Sequence, residues 1–153
     1  MKVRLAGNED FDQAVALLSE FGGEPPVPGG QEGLAVWRQI VGHAGTSVFV
    51  ADTGSRFAGT VTLHVMPNLT YGGRPYGLIE NVITAASHRG QGVGRLVMEA
   101  AIEAALKAGV YKIMLLTGKN RSDGGVTGFY EKLGFSADAK HGMILRVLPP
   151  RAQ

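Results

Sequence analysis

The apolar positions of this 153-residue chain change period several times, and each change marks a new element. Val3 to Leu5 is short and apolar, a first strand. Phe11, Ala14, Val15, Leu18 and Phe21 then recur at helical spacing, and Asn8 or Asp10 stands where a capping side chain belongs. Gly22-Gly23 ends that helix. The stretch from Gly22 to Gly30 is too rich in Pro and Gly for regular structure. It reads either as a connector or as a loop that shapes a substrate mouth. A second helix runs from about Leu34 to Val41 and carries Trp37 as a packing residue. Ser47 to Asp52 and Phe57 to Met66 read as two strands joined by the hairpin residues Thr53 to Arg56. Pro67 to Pro75 is a turn-rich excursion, and Asn68-Leu69-Thr70 within it reads as a turn. Tyr76 to Thr84 is the next strand.

A glycine-rich segment, Ser87 to Arg95, separates that strand from a helical run over Leu96 to Ala108. Arg95, Glu99, Glu103 and Lys107 lie four apart on the helix and form one solvated stripe. The rest is Leu, Val, Ile, Met and Ala, the composition of a helix widely buried on a sheet. Gly109 stops it, and Tyr111 to Thr117 is an apolar strand. Gly118 to Gly125 is a polar loop, and a short helix over Thr127 to Leu133 ends at Gly134. Phe135 onward and Gly142 to Leu148 are expected to supply the last strands. With no internal repeat and no linker, residues 1–153 read as a single mixed α/β domain.

Composition narrows the chemistry. The chain has no cysteine, which excludes a disulfide framework, a thiolate zinc site and a cysteine nucleophile. A net charge of +2 argues against a broad nucleic-acid face. No apolar run approaches the ~20 residues of a membrane helix, and the amino-terminal residues lack the apolar core of a signal peptide. The cytoplasm is the expected location, with no membrane and no nucleic-acid partner.

Ser87-His88-Arg89-Gly90-Gln91-Gly92-Val93-Gly94-Arg95 is the segment richest in chemistry. Glycines alternate with other residues at the start of a helix, between basic flanks. The first helical turn has N–H groups without intrahelical partners and carries the positive end of the helix dipole. Glycine admits a phosphate close to the backbone. The dinucleotide spacing G-x-G-x-x-G fails, since its last glycine falls on Arg95 or Val97. The P-loop pattern fails as well, because Gly118-Lys119 is followed by Asn120. A nucleotide-like cofactor and a plain strand-to-helix turn both remain.

Together with Leu78-Ile79-Glu80-Asn81-Val82, this segment resembles the signature of the GNAT superfamily of N-acetyltransferases. The family loop R/Q-x-x-G-x-G/A is met by Arg89, Gly92 and Gly94. Gly128-Phe129-Tyr130-Glu131-Lys132-Leu133-Gly134-Phe135 is similar to the family's late FYEKLGF block, and the order of elements agrees along nearly the whole chain. The resemblance implies a twisted mixed sheet flanked by helices, with the strands of Glu80 and Tyr111 splayed apart around acetyl-CoA. It places the pyrophosphate on the backbone from Gly90 and Gln91 through Gly92, Val93 and Gly94 to Arg95. Arg89 and Arg95 add charge there. The pantetheine arm pairs with Val82, Ile83 and Thr84, and an N–H near Val82 or Ile83 polarises the thioester carbonyl. Glu80 matches a base position and Tyr130 the general acid. A solvent-facing carboxylate and an aromatic packing residue are the plain readings of the two.

Asn120 is expected to hold the pantetheine or a substrate group. The family often has asparagine about seven residues before the tyrosine, and this chain has Asp123 there. His64, His88 and His141 are titratable but stay outside the catalytic set. No metal is expected.

The resemblance implies an amine acceptor, expected to be a small molecule. Val110-Tyr111-Lys112-Ile113-Met114-Leu115 and Ile79-Glu80-Asn81-Val82 resemble the glucosamine-6-phosphate N-acetyltransferases, which favours an amino sugar. Tyr-Lys-Ile can equally serve only to pack its strand. Lys119, Arg121 and Lys132 are the cations available for a phosphate. Polyamine, amino-acid, aminoglycoside and protein amines stay open, as do a homodimer and a non-catalytic CoA-binding regulatory module.

Overall fold

The structure is a computed structural model that describes residues 1–22, 25–118, 125–138 and 142–145. Its strands are β1 (Lys2–Leu5), β2 (Thr46–Asp52), β3 (Phe57–Met66), β4 (Tyr76–Thr84) and β5 (Ile113–Leu115). Its helices are α1 (Phe11–Leu18), α2 (Gly30–Gly42), α3 (Val93–Lys107) and α4 (Gly125–Glu131). The sheet has the order β1-β2-β3-β4-β5; the first four strands are antiparallel to their neighbours, and β5 is parallel to β4. This is the mixed α/β architecture that the residue pattern leads one to expect, with the mixed sheet flanked by helices that the resemblance implies.

Two apolar clusters hold the helices on opposite faces. On one face Val93, Val97, Met98, Ala101 and Ala105 of α3 pack with Ala51, Val61, Leu63 and Ile79 of the sheet. The small alanines let the helix lie close to the strands, and the stripe behind them stays in water, with Arg95–Glu99 and Lys107–Glu103 ion pairs. On the other face Ala14, Leu17 and Trp37 of α1 and α2 pack with Val48, Val50, Phe57 and Ile83. Trp37 is buried and its Nε1 donates to the Gly7 carbonyl at 2.9 Å, so the indole spans the cluster with its polar atom satisfied.

Asp10 does not act as the cap expected of it. It reaches backward, accepting the Gly7 N–H at 2.8 Å and two bonds from the Arg4 guanidinium at 2.7 and 2.8 Å. Arg4 also meets Asp52 at 2.8 Å. One cation on β1 thereby ties the start of α1 to the end of β2. The hydrogen bonds from Arg4 hold the Asp10 carboxyl below the ordinary carboxylate range, against desolvation that pushes it up.

Two expectations fail. β5 is shorter than Tyr111 to Thr117. The closing strands are absent among the described residues: 135–138 and 142–145 contain no strand, and 139–141 and 146–148 lie outside the described set. Gly134 turns the chain with φ +90°, and Ser136 and Asp138 then bond one another (Ser136 Oγ to Asp138 Oδ2, 2.9 Å; Asp138 N–H to Ser136 Oγ, 3.1 Å). Local bonds of that kind compete with a strand ladder.

Candidate active site

The site is built on β4, and its decisive feature is a bulge. Against β3, Thr62 pairs with Glu80 and Thr60 with Ile83, so three steps on β4 match two on β3. The extra residue is accommodated by Asn81, whose φ is +53°. Asparagine tolerates this left-handed conformation better than most side chains. One added residue reverses the alternation of a strand. Ile79 accordingly belongs to the α3-face cluster, while Ile83 belongs to the α1–α2 face.

The same reversal acts on the backbone. Gly77 turns its N–H to the β5 side, where it donates to the Lys112 carbonyl at 2.9 Å. Pairing of β4 with β5 ends at Ile79 opposite Leu115. From Glu80 to Thr84 no strand covers that side of β4 among the described residues. Past the bulge, Ile83 pairs with Thr60, and the Ala85 N–H donates to the Ala58 carbonyl. Alternation therefore turns the N–H of Val82 and of Thr84 to the open edge.

That edge runs into the glycine segment. A 3₁₀ turn, Ala86–His88, leads to Gly90 (φ +73°) and to Gly92, the N-cap of α3 (φ +80°). The first intrahelical bond runs from the Leu96 N–H to the Gly92 carbonyl, so the N–H groups of Val93, Gly94 and Arg95 precede the ladder. Gly94 is needed for closeness. A Cβ there would lie 3.2 Å from Thr84 Oγ1 and 3.4 Å from the Phe129 ring. Val93 is buried beneath the loop. The Arg89 Nε donates to the Thr84 carbonyl at 3.4 Å. Arg95 turns its Nε to Glu99 at 2.7 Å along the exposed stripe, so its guanidinium is already engaged on the helix surface.

Glu80 and Tyr130 lie on opposite faces of the sheet. Glu80 is exposed and pairs with Thr62, which puts it on the α1–α2 face. Tyr130, on α4, is half-buried against the α3-face cluster and packs edge-on to Phe129 and Phe135. Burial raises its phenol above the ordinary tyrosine range, so it keeps its proton at neutral pH.

A cavity of about 180 Å³ lies on the α1–α2 face, lined by Leu18, Ser19, Phe21, Gly22, Pro25, Pro26, Val27 and Asn81. The Pro/Gly stretch thus forms a cavity wall. Leu18 and Asn81 also border a smaller apolar space beside Trp37. Asn81 was not singled out by sequence reasoning; an asparagine inside a strand-like run was the signal that could have found it.

Other predicted residues fall elsewhere. Asn120, Lys119 and Arg121 lie outside the described residues. The Pro67 to Pro75 excursion sits at the start of β4, roughly 25 Å of strand away from the glycine segment. Tyr71 there stacks on Tyr111 (centroids 4.0 Å apart), and Arg74 donates to the Gly109 and Val110 carbonyls. Lys112 lies over the Tyr76 and Tyr111 rings. The Tyr-Lys-Ile run therefore packs the base of β5. Among the described residues no cluster of three or more His, Cys, Asp or Glu could hold a metal, and no helix is long and apolar enough to cross a membrane.

A sheet opened along one strand, with that strand feeding an anion-receptive helix start, suits the class of proteins that take an extended, phosphate-bearing ligand. Within that class, the chain belongs to the acetyltransferase (GNAT) family, whose model matches residues 14–135. It is an N-acetyltransferase by that membership, and acetyl-CoA is the family's typical cosubstrate. The chain is 31% identical over 138 residues to a glucosamine 6-phosphate N-acetyltransferase of Trypanosoma brucei brucei, covering 90% of each protein. It is 30% identical over 135 residues to a probable glucosamine 6-phosphate N-acetyltransferase 2 of Oryza sativa subsp. japonica, with 84% of this chain and 81% of the relative covered. Among solved structures, a putative acetyltransferase from Agrobacterium tumefaciens superposes with a TM-score of 0.88 at 40% identity, covering 95% of this chain and 99% of the other.

Proposed function

We propose that the protein moves the acetyl group of acetyl-CoA to the primary amine of a small molecule by direct attack in a ternary complex, with an amino sugar as the favoured acceptor. The observation that carries this reading is the edge of β4 from Glu80 to Thr84, which no strand covers among the described residues and which leads to the N–H groups that precede the helical ladder at the start of α3. Val82 and Thr84 offer that edge to the pantetheine amides, and Gln91, Gly92, Val93, Gly94 and Arg95 offer backbone donors to the pyrophosphate. Arg89 adds charge nearby. The Val82 N–H, rather than that of Ile83, is the donor for the thioester oxygen, because Ile83 is committed to the pairing with Thr60.

Acetyl-CoA supplies the acyl group as a thioester. An alkyl ammonium, with a pKa near that of lysine at ~10.4, must lose a proton before its nitrogen attacks. Glu80 takes that proton, directly or through water. As the N–C bond forms and the C–S bond breaks, Tyr130 gives its proton to the departing sulfur. The acceptor occupies the cavity beside Asn81, on the same face as Glu80. The relatives and the sequence around Glu80 support an amino sugar. Among the described residues the cavity lining carries no cation, and Lys119, Arg121 and Lys132 are the cations the sequence offers for a phosphate on the sugar.

The test is release of free CoA from acetyl-CoA by the purified chain with glucosamine 6-phosphate, glucosamine, spermidine, free amino acids, an aminoglycoside and a peptide amine. The expected result is turnover, with the highest kcat/KM on an amino sugar. Acetyl-CoA binding with no turnover on any amine would replace the enzyme by a CoA-binding module.

A further inference from the structure

The wall of the acceptor cavity is tied to the cofactor segment by one side chain. Glu20 lies in the 3₁₀ turn Ser19–Phe21 that follows α1. Its Oε2 accepts the Ala86 N–H at 2.7 Å, across 66 positions of sequence. Ala86 opens the turn that leads to the glycine segment, and no side chain of that turn's own N-cap satisfies its donors. The turn is in turn wired forward. The His88 N–H donates to the Ala85 carbonyl at 2.8 Å, and Gln91 Nε2 donates to the Ser87 carbonyl at 3.1 Å. Ser19, Phe21 and Gly22, the neighbours of Glu20, line the cavity, while Glu20 itself does not. Beyond Gly22 (φ +63°) the wall continues as Pro25, Pro26 and Val27.

We propose that Glu20 is a positioning residue that makes the acceptor wall depend on the cofactor segment, so that acetyl-CoA on the glycine turn firms the cavity that receives the amine. This rests on acetyl-CoA binding at the glycine segment, which its affinity for the wild type checks separately, and the kinetic arm rests on turnover as well. A ligand that orders Ala86–His88 and Gln91 fixes the donor that Glu20 accepts from, and Glu20 then holds the turn from which the Pro/Gly wall departs. Linkage makes the effect reciprocal: an occupied cavity also favours acetyl-CoA.

The experiment compares Glu20→Ala and Glu20→Gln with the wild type by two readouts. The first is hydrogen exchange of the amides of residues 19–22 and of Ala86, with and without acetyl-CoA. Acetyl-CoA is expected to slow exchange in the wild type and in Glu20→Gln, whose side-chain oxygen still accepts, and not in Glu20→Ala. The second is kinetics. Glu20→Ala should raise acceptor KM about fivefold at saturating acetyl-CoA, the scale of one exposed charge-assisted bond. Its kcat and its acetyl-CoA affinity in the absence of acceptor should stay within about twofold, and Glu20→Gln should recover most of the loss. Equal protection of residues 19–22 in Glu20→Ala and the wild type, or none in the wild type, overturns the proposal. A wild type that releases no CoA with any amine overturns the acetyltransferase reading, and the exchange readout still decides the coupling.

Discussion

β4 divides at Ile79 into two halves with different neighbours. From Gly77 to Ile79 it is paired on both sides, with β3 and with β5, and Ile79 is 2% exposed in the α3-face core. From Glu80 to Thr84 it is paired on one side only, bulged at Asn81, and turned over so that Ile83 faces the other helices. Both halves are strand. The first spends all its backbone groups on the fold, and the second leaves a row of them for something else. A sheet normally guards an unpaired edge because other chains add to it. Here the open edge is short, five residues from Glu80 to Thr84 among the described residues, and it runs into the glycine segment. The difference arises from a single inserted residue and from where β5 ends.

The comparison can be broken from its closed half. Ile79→Ala should cost about 4 kcal/mol of stability through the cavity it leaves. Activity per folded molecule should survive, because the open half is untouched. Denaturant unfolding and active-site titration check this, and a variant of normal stability would mean that the two halves share one environment. Next is the open half. Tyr130→Phe should lower kcat roughly a hundredfold, within the range of general-acid catalysis, and leave acetyl-CoA affinity within about twofold. Since burial raises the Tyr130 pKa, the wild-type rate should show no loss from this group until the pH exceeds ~10, the ordinary tyrosine value. A pH profile of kcat for both proteins separates the two outcomes. The smallest effect is expected of Glu80→Gln. It should lose about tenfold in kcat/KM at pH 7. The loss should shrink as the pH approaches the amine's own pKa, because the unaided free base then becomes abundant. A ratio of wild type to variant that does not change with pH would remove Glu80 from the base role.

The parts of the fold set by local periodicity were legible. β3, β4, the burial of α3 and the helix stops at Gly109 and Gly134 follow from apolar spacing and from glycine. The glycine segment and the block around Tyr130 were also legible, because each is contiguous. The bulge was not, since it is a mismatch between two strands and neither strand carries it alone. Asn81 records it only as one polar residue in an apolar run. The Glu20–Ala86 bond was out of reach for a similar reason: its partners are 66 residues apart, and a backbone N–H has no side-chain signature. Asp10 misled because one carboxylate can serve a helix start or an arginine, and Arg4 on the neighbouring strand decided between them. The closing strands were expected from Phe135 onward, and among the described residues there Ser136 and Asp138 bond locally instead.

Trp37 gives the molecule a built-in optical probe. It is the chain's one tryptophan, buried with its indole N–H bonded to Gly7. The small space beside it shares Leu18 and Asn81 with the larger cavity of the α1–α2 face. Its emission reports from a single point next to that cavity, so a ligand entering there can be followed by intrinsic fluorescence without a label and without turnover.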